Sequence, residues 1–433
     1  MTVLCATMGV SGCSDREPIL PGVRENANSV FEDVAKDRRV FTNATLSFAA
    51  PRQVSNASWS QGHETEKSRT THPALAASPN LIWSADIGTG DLRRTRIIAD
   101  PVAANGVIYT LDSMSVLTAT SSNGATLWSK DLTPFGEASG DADGGGLAIG
   151  DKTLFVTTGY GSLFAFDLAT GAEKWEQSLL GAGNTRPTYY SDLVYVVSND
   201  TTSWAIEADT GRVRWQTDGL GDSNNLSGST GPSVSSKYVL FSYGSGEVQA
   251  AYRQGGLVTW STSLAGGSSA RAVSAVDDIT GAPVIVNGIA YTANGVGRIV
   301  AIDIASGDRK WNAPFGARSP LWVASGSVFF VNDDSQLMRL NARTGDPIWA
   351  VDLPKYISNK PRRRKELWTH HGPVLAGGLL RVASNDGVLR SFDPSSGTLV
   401  QSVEIPSGAT TNPIIVDKTL YVVSKEGQLH AFR

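Results

Sequence analysis

The side chains best able to do chemistry in this 433-residue chain are few, and their spacing works against them. Both cysteines, Cys5 and Cys13, fall within the first thirteen residues, so the body of the chain can build neither a disulfide framework nor a thiolate metal site. The five histidines, at 63, 72, 370, 371 and 430, are too scattered to suggest a catalytic set. Adjacent His370 and His371 on a strand would point to opposite faces and chelate one metal poorly. The stretch DADGGG at 141–146 begins like a calcium loop, yet its twelfth position is Lys152, where a bidentate glutamate is required. It reads as a connector. Neither a Gly-x-Ser-x-Gly elbow nor a phosphate-cradling Gly-x-x-x-x-Gly-Lys loop occurs. The basic run 362–365 reads as a solvated connector, the alternative being contact with an acidic partner or anionic lipid headgroups. These residues predict no catalytic centre, no metal and no cofactor.

What the chain has in abundance is material for short strands and tight turns. Hydrophobic content is 41% and charged content 18%, with 45 glycines and 11 tryptophans. A formal net charge of −4 argues against a nucleic-acid binder, which presents a basic surface. No stretch approaches the roughly 20 apolar residues that span a bilayer.

The organising signal is a repeat. AFDLATGAEKW at 165–175 returns as AIDIASGDRKW at 301–311. A glycine stands four positions before Trp128, Trp175, Trp215, Trp260, Trp311 and Trp349, while Gly397 has Gln401 in place of tryptophan. Most units open on a proline ahead of an apolar strand, and 28 residues separate Pro187, Pro232 and Pro283 from Trp215, Trp260 and Trp311 respectively. Each unit reads as four short strands. In the turn before Trp175, Asp167 can accept amide hydrogen bonds, Thr170 supports it and Gly171 supplies a positive φ. Trp175 then opens the outer strand and can lie flat against the neighbouring sheet.

Four-stranded units of about 45 residues in series are the mark of a β-propeller. The ends set the count. The last unit stops after three strands at Arg433, and the missing outer strand lies in PNLIWSADIG with Trp83 as the orphan tryptophan. Positions 83, 128, 175, 215, 260, 311, 349 and 401 therefore predict an all-β fold, an eight-bladed β-propeller of four-stranded blades closed by the N-terminal strand. The expected organisation is a signal segment with its lipobox at 1–13, an irregular tether at 14–80 laid partly along the propeller surface, and the propeller at 81–433.

The opening MTVLCATMGVSGCSD has an apolar run followed by Val10-Ser11-Gly12-Cys13 and resembles a bacterial lipobox, with Cys13 as the lipidated residue. No Lys or Arg precedes the run, which implies a true start upstream of Met1. The motif Ala-x-Asp-x-x-Thr-Gly-x-x-x-Trp at 165–175 resembles the docking motif of quinoprotein-type propellers. Two families share it. In the quinoprotein alcohol dehydrogenases a vicinal cysteine pair adjoins the quinone, and this chain has no cysteine beyond residue 13. With its lipobox, eight blades and modest length, the chain is more similar to the BamB family of outer-membrane assembly lipoproteins.

That resemblance implies a non-catalytic scaffold, lipid-anchored on the periplasmic face of the outer membrane and monomeric within a hetero-complex. It would bind a BamA-type barrel-assembly protein through rim loops. The family's leucine- and arginine-bearing loop falls at 224–232, where Leu226 matches and Ser227 replaces the arginine. Its acidic loop falls at 271–283, where Asp277 matches the second acid, Ala275 replaces the first, and Asp278 stands ready to compensate. The alternatives are a secreted ligand-binding or sensory propeller and a quinone-dependent dehydrogenase, because a fold does not determine a function.

Overall fold

A computed structural model describes residues 40–62, 71–182, 185–198, 201–220, 230–264, 279–295, 297–358, 360 and 366–433. Alternating apolar runs separated by Gly, Asn and Asp turns fold into eight antiparallel sheets. Numbered along the chain, blades 1 to 7 span 102–131, 145–178, 188–218, 233–263, 279–313, 322–352 and 370–404. Blade 8 takes three strands from 414–432 and its outer strand, Leu81–Asp86, from the other end of the sequence. Inner strands such as Gly145–Gly150 are buried throughout, whereas outer strands such as Glu173–Ser178 alternate between exposed and half-buried residues. Apolar clusters lie between successive sheets: one holds Tyr109 with Leu154, the next Phe155 with Val194.

The inter-blade contact is an indole ring laid on a glycine. Trp83, Trp128, Trp175, Trp215, Trp260, Trp311 and Trp349 lie over Gly124, Gly171, Gly211, Gly256, Gly307, Gly345 and Gly397, each glycine belonging to the turn of the following blade. At Gly211 the need for glycine is twofold. Its φ is +72°, and an added Cβ would stand 2.7 Å from the Trp175 ring. The indole nitrogen of Trp175 donates to Ala208 O at 2.9 Å in the same turn, and Trp215, Trp260, Trp311 and Trp349 repeat that bond to Arg253, Ile304, Ala342 and Pro394. An acid or amide shapes the turn: Asp167 Oδ1 accepts the amide of Thr170 at 3.0 Å and its hydroxyl at 2.9 Å, which holds the carboxyl below its usual range.

Gln401 has no such turn ahead of it, because blade 8 is where the two chain ends meet. Asn80 N donates to Arg433 O at 2.8 Å and Arg433 N to Asn80 O at 2.9 Å, so two separate segments replace the glycine hairpin. Leu81–Asp86 then pairs antiparallel with Gln428–Phe432 and closes the ring. A glycine-dependent indole site cannot form there.

Gly211→Ala therefore meets both a disfavoured φ and the Trp175 ring, and should destabilise by about 2–4 kcal/mol. Trp175→Ala should cost about 3–5 kcal/mol. The double variant should fall short of the sum of the two, since removing the ring removes the clash. Urea denaturation of the four proteins measures this, and strict additivity would contradict it.

Candidate functional site

Two ends of the ring differ in what they carry. Inner-to-second hairpins and the glycine turns share one face; second-to-third loops and the blade-to-blade connectors share the other. The connector face receives the longest loops, among them the stretches between blades 3 and 4, 4 and 5, and 6 and 7. Leu226, Asp277 and Asp278, and the basic run 362–365, belong to those stretches and lie outside the described residues, as does Cys13.

The channel between the inner strands is occupied by the chain itself. Ser58–Trp59 pairs antiparallel with Ala103 and Ala104 on the inner edge of blade 1, giving that sheet a fifth strand. Asn56 Nδ2 donates to Ile415 O of blade 8 at 2.7 Å, and Asp417 N donates back to Asn56 O at 2.9 Å. Ile149 N of blade 2 donates to Ser60 O at 2.6 Å, and Tyr189 N of blade 3 to Gln61 Oε1 at 3.1 Å. The Trp59 ring stacks on Trp322 of blade 6 at 6.3 Å between centroids and is 3% exposed. Residues 56–62 thus touch five of the eight blades from within.

At the connector end of this channel, residues two positions ahead of the inner-strand ladder form a polar clasp. Arg186 of blade 3 reaches across blade 2, where a Cβ on Gly146 would collide with its own Cγ at 2.5 Å, and pairs with Asp100 of blade 1 at 2.6 Å. Asn412 of blade 8 donates its amide to Asp100 Oδ1 at 2.8 Å and its side-chain nitrogen to Asp100 Oδ2 at 2.9 Å. Gly372 N of blade 7 donates to Asn412 Oδ1 at 2.7 Å. With both Asp100 oxygens saturated by donors, the carboxylate is poorly placed to abstract a proton. The clasp is a tie between blades.

Three of the described histidines are likewise spent on structural hydrogen bonds. His72 Nε2 accepts from Gly378 N at 2.8 Å, so the proton sits on Nδ1 and is donated to Pro51 O at 2.7 Å. His370 Nε2 donates to Pro354 O at 2.9 Å and Nδ1 meets Ser384 Oγ at 2.7 Å, while burial, outweighing the Pro354 bond, lowers its pKa. His430 joins blade 8 to the closing strand through Ser84 Oγ at 2.7 Å. His371 has its pKa pushed down to about 4, by burial first, with the Asp100 carboxylate opposing and His370 reinforcing the shift. Among the described residues no group of three or more His, Cys, Asp or Glu could hold a metal ion.

Two buried arginines, unremarked in the sequence, hold the N-terminal segment to the ring. Arg339 Nη1 donates to Leu46 O at 2.6 Å and to Pro394 O at 3.1 Å, with Phe48 packed over its guanidinium. Arg381, fully buried, donates to Ala76 O at 2.9 Å and Ala77 O at 3.0 Å. Each is a cation at a position where the alternating pattern calls for an apolar residue.

The sequence model of the outer membrane protein assembly factor BamB matches residues 112–351. The chain belongs to that family. Among BamB-family relatives, the outer membrane protein assembly factor BamB of Alteromonas naphthalenivorans is 26% identical over 394 residues, covering 86% of this chain and 91% of the relative. The crystal structure of BamB from Moraxella catarrhalis superimposes with a TM-score of 0.67 at 17% identity, over 82% of this chain and all of that one. The quinohemoprotein alcohol dehydrogenase of Comamonas testosteroni superimposes with a TM-score of 0.65 at 14% identity, over 87% of this chain and 80% of its own. That likeness concerns the fold alone. BamB-family membership and the shared eight-bladed ring agree on a propeller whose functional residues are not announced by its core.

The lowered pKa values of His370, His371 and His430 should make the ring acid-sensitive. An unfolded histidine titrates near 6.5, whereas folded His371 stays neutral down to about 4, and the His370 and His430 pKa values are lowered as well. Between those pH values the unfolded chain binds more protons, so stability should fall as pH drops from 6.5 towards 4, His371 alone contributing at most about 3 kcal/mol. His371→Gln should flatten that slope in urea titrations at pH 7, 6, 5 and 4. A slope unchanged by the substitution would refute the assignment.

Proposed function

We propose that the chain is a non-catalytic scaffold of the outer-membrane β-barrel assembly machinery, lipid-anchored at Cys13 on the periplasmic side. In this reading it acts as a monomer inside a hetero-complex and holds a BamA-type barrel-assembly protein through loops of the connector face. Membership of the BamB family, matched over 112–351, is the observation that carries the reading. The channel supports it, because the space inside the inner strands is taken by residues 56–62, and the polar groups at its end are spent on one another. Loops on a rigid frame are where binding residues sit, and the connector face concentrates the long ones. Leu226 is assigned as the apolar anchor, with Asp277 and Asp278 as the polar ones. Several acyl chains on Cys13 would hold the protein firmly, where one chain alone gives only marginal attachment.

Affinity purification from detergent-solubilised envelope tests this reading. The parent protein should bring down the barrel-assembly protein, and Leu226→Ala with Asp277→Ala should lose it while melting like the parent. Truncating such anchors typically costs about 2 kcal/mol or more, a loss of roughly thirtyfold in affinity. Retained co-purification would remove these residues from the site. Quinone-dependent dye reduction by the purified protein would overturn the non-catalytic reading altogether.

A further inference from the structure

The chain is clamped where it leaves each outer strand. Four residues beyond the tryptophan, Leu132, Leu179, Gly219, Leu264 and Leu353 each donate a backbone hydrogen bond to the second-to-third loop of their own blade, at 2.7–3.1 Å. The direction of the next residue is therefore set. In blades 1 and 6 that next residue is Thr133 and Pro354; in blades 2 and 3 it is Leu180 and Leu220. Both leucines project from the connector face, 82% and 66% exposed.

Each is held out firmly. Leu180 adopts φ of +59°, a conformation that a branched side chain takes only at a cost of about 1–2 kcal/mol, and the exposed side chain gains little packing in return. Leu220 donates its amide to Glu247 Oε2 at 2.8 Å, and the Gly219 before it is pressed on the Tyr243 ring, where a Cβ would meet Cζ at 2.2 Å. In the preceding connector, Phe135 is fully exposed. Three large apolar side chains thus stand on the connectors leaving three successive blades. The exposed acids Asp131, Glu137 and Asp141 lie within six residues of Phe135 and Asp218 two residues before Leu220, while Arg186 is turned inward onto Asp100.

We propose that Leu180 and Leu220, flanked by Phe135, form an apolar ridge that seats a protein partner whose complementary surface is apolar and bordered by Lys or Arg. The acids beside Phe135 and Leu220 in the chain select that charge and oppose an anionic membrane. The proposal rests on the scaffold reading above and extends its contact: Leu220 opens the connector that holds Leu226, and Leu180 and Phe135 stand on the two connectors before it.

The probe is the purified periplasmic region of the barrel-assembly protein from the same organism, titrated against the full chain. Leu180→Asp with Leu220→Asp should weaken binding by thirtyfold or more at unchanged circular dichroism, and Asp218→Lys should weaken it further and reduce its salt dependence. Leu180→Gly separates function from structure: freed of the left-handed backbone cost, it should melt about one or two degrees higher while binding less tightly. Parent binding that the ridge variants leave intact would overturn the ridge alone. Absence of parent binding would overturn the scaffold reading with it. Ridge-dependent binding to phosphatidylglycerol vesicles would assign the leucines to a membrane and also overturn the proposal.

Discussion

Everything in this ring depends on a flat indole having a flat place to land. A tryptophan on the outer strand of one blade needs the next blade to present a surface without a Cβ, and the turn that provides it must have positive φ. One residue type meets both conditions. The contact couples a side chain to the backbone of its neighbour, and the indole N–H then ties it to a turn carbonyl. Seven repeats of this contact fix the angle between sheets and leave only the junction at the chain ends to be solved differently.

That junction is reinforced from several sides. Strand Leu81–Asp86 supplies backbone pairing, the Asp100–Arg186–Asn412 clasp spans blades 1, 3 and 8, and residues 56–62 knit inner strands together from within the channel. The largest apolar cluster accordingly runs without a break through blades 6, 7, 8 and 1 and includes Trp59. The seam is thus tied by backbone pairing, the clasp and the channel segment together, as an otherwise weak closure requires.

Much of this was legible in the sequence because the repeat is one-dimensional. Trp-to-Gly spacing gives strand number and order, and a unit lacking its fourth strand points to Trp83 as its completion. The channel segment was not legible. NASWSQG carries no period, and its side-chain hydrogen bonds go to inner strands 128 and 359 residues away, which local pattern cannot register. Signals existed nonetheless: Trp59 falls outside the repeat register, and Arg339 and Arg381 interrupt apolar runs, each marking a partner from elsewhere in the chain. The long connector loops are harder for a different reason. Neither periodicity nor the core of this chain constrains the residues of such loops.

The proposed function rests on this division of labour. A closed ring holding residues 56–62 in its channel has spent its interior on rigidity, and its long loops gather on the connector face. The most direct test is to delete residues 81–87 and measure thermal melting beside the parent. Loss of the closing strand removes backbone pairing as well as Trp83, so the deletion should lower stability by more than the roughly 3–5 kcal/mol of one buried tryptophan, with a clear fall in melting temperature. A deletion variant melting within a degree or two of the parent would contradict closure by the N-terminal strand.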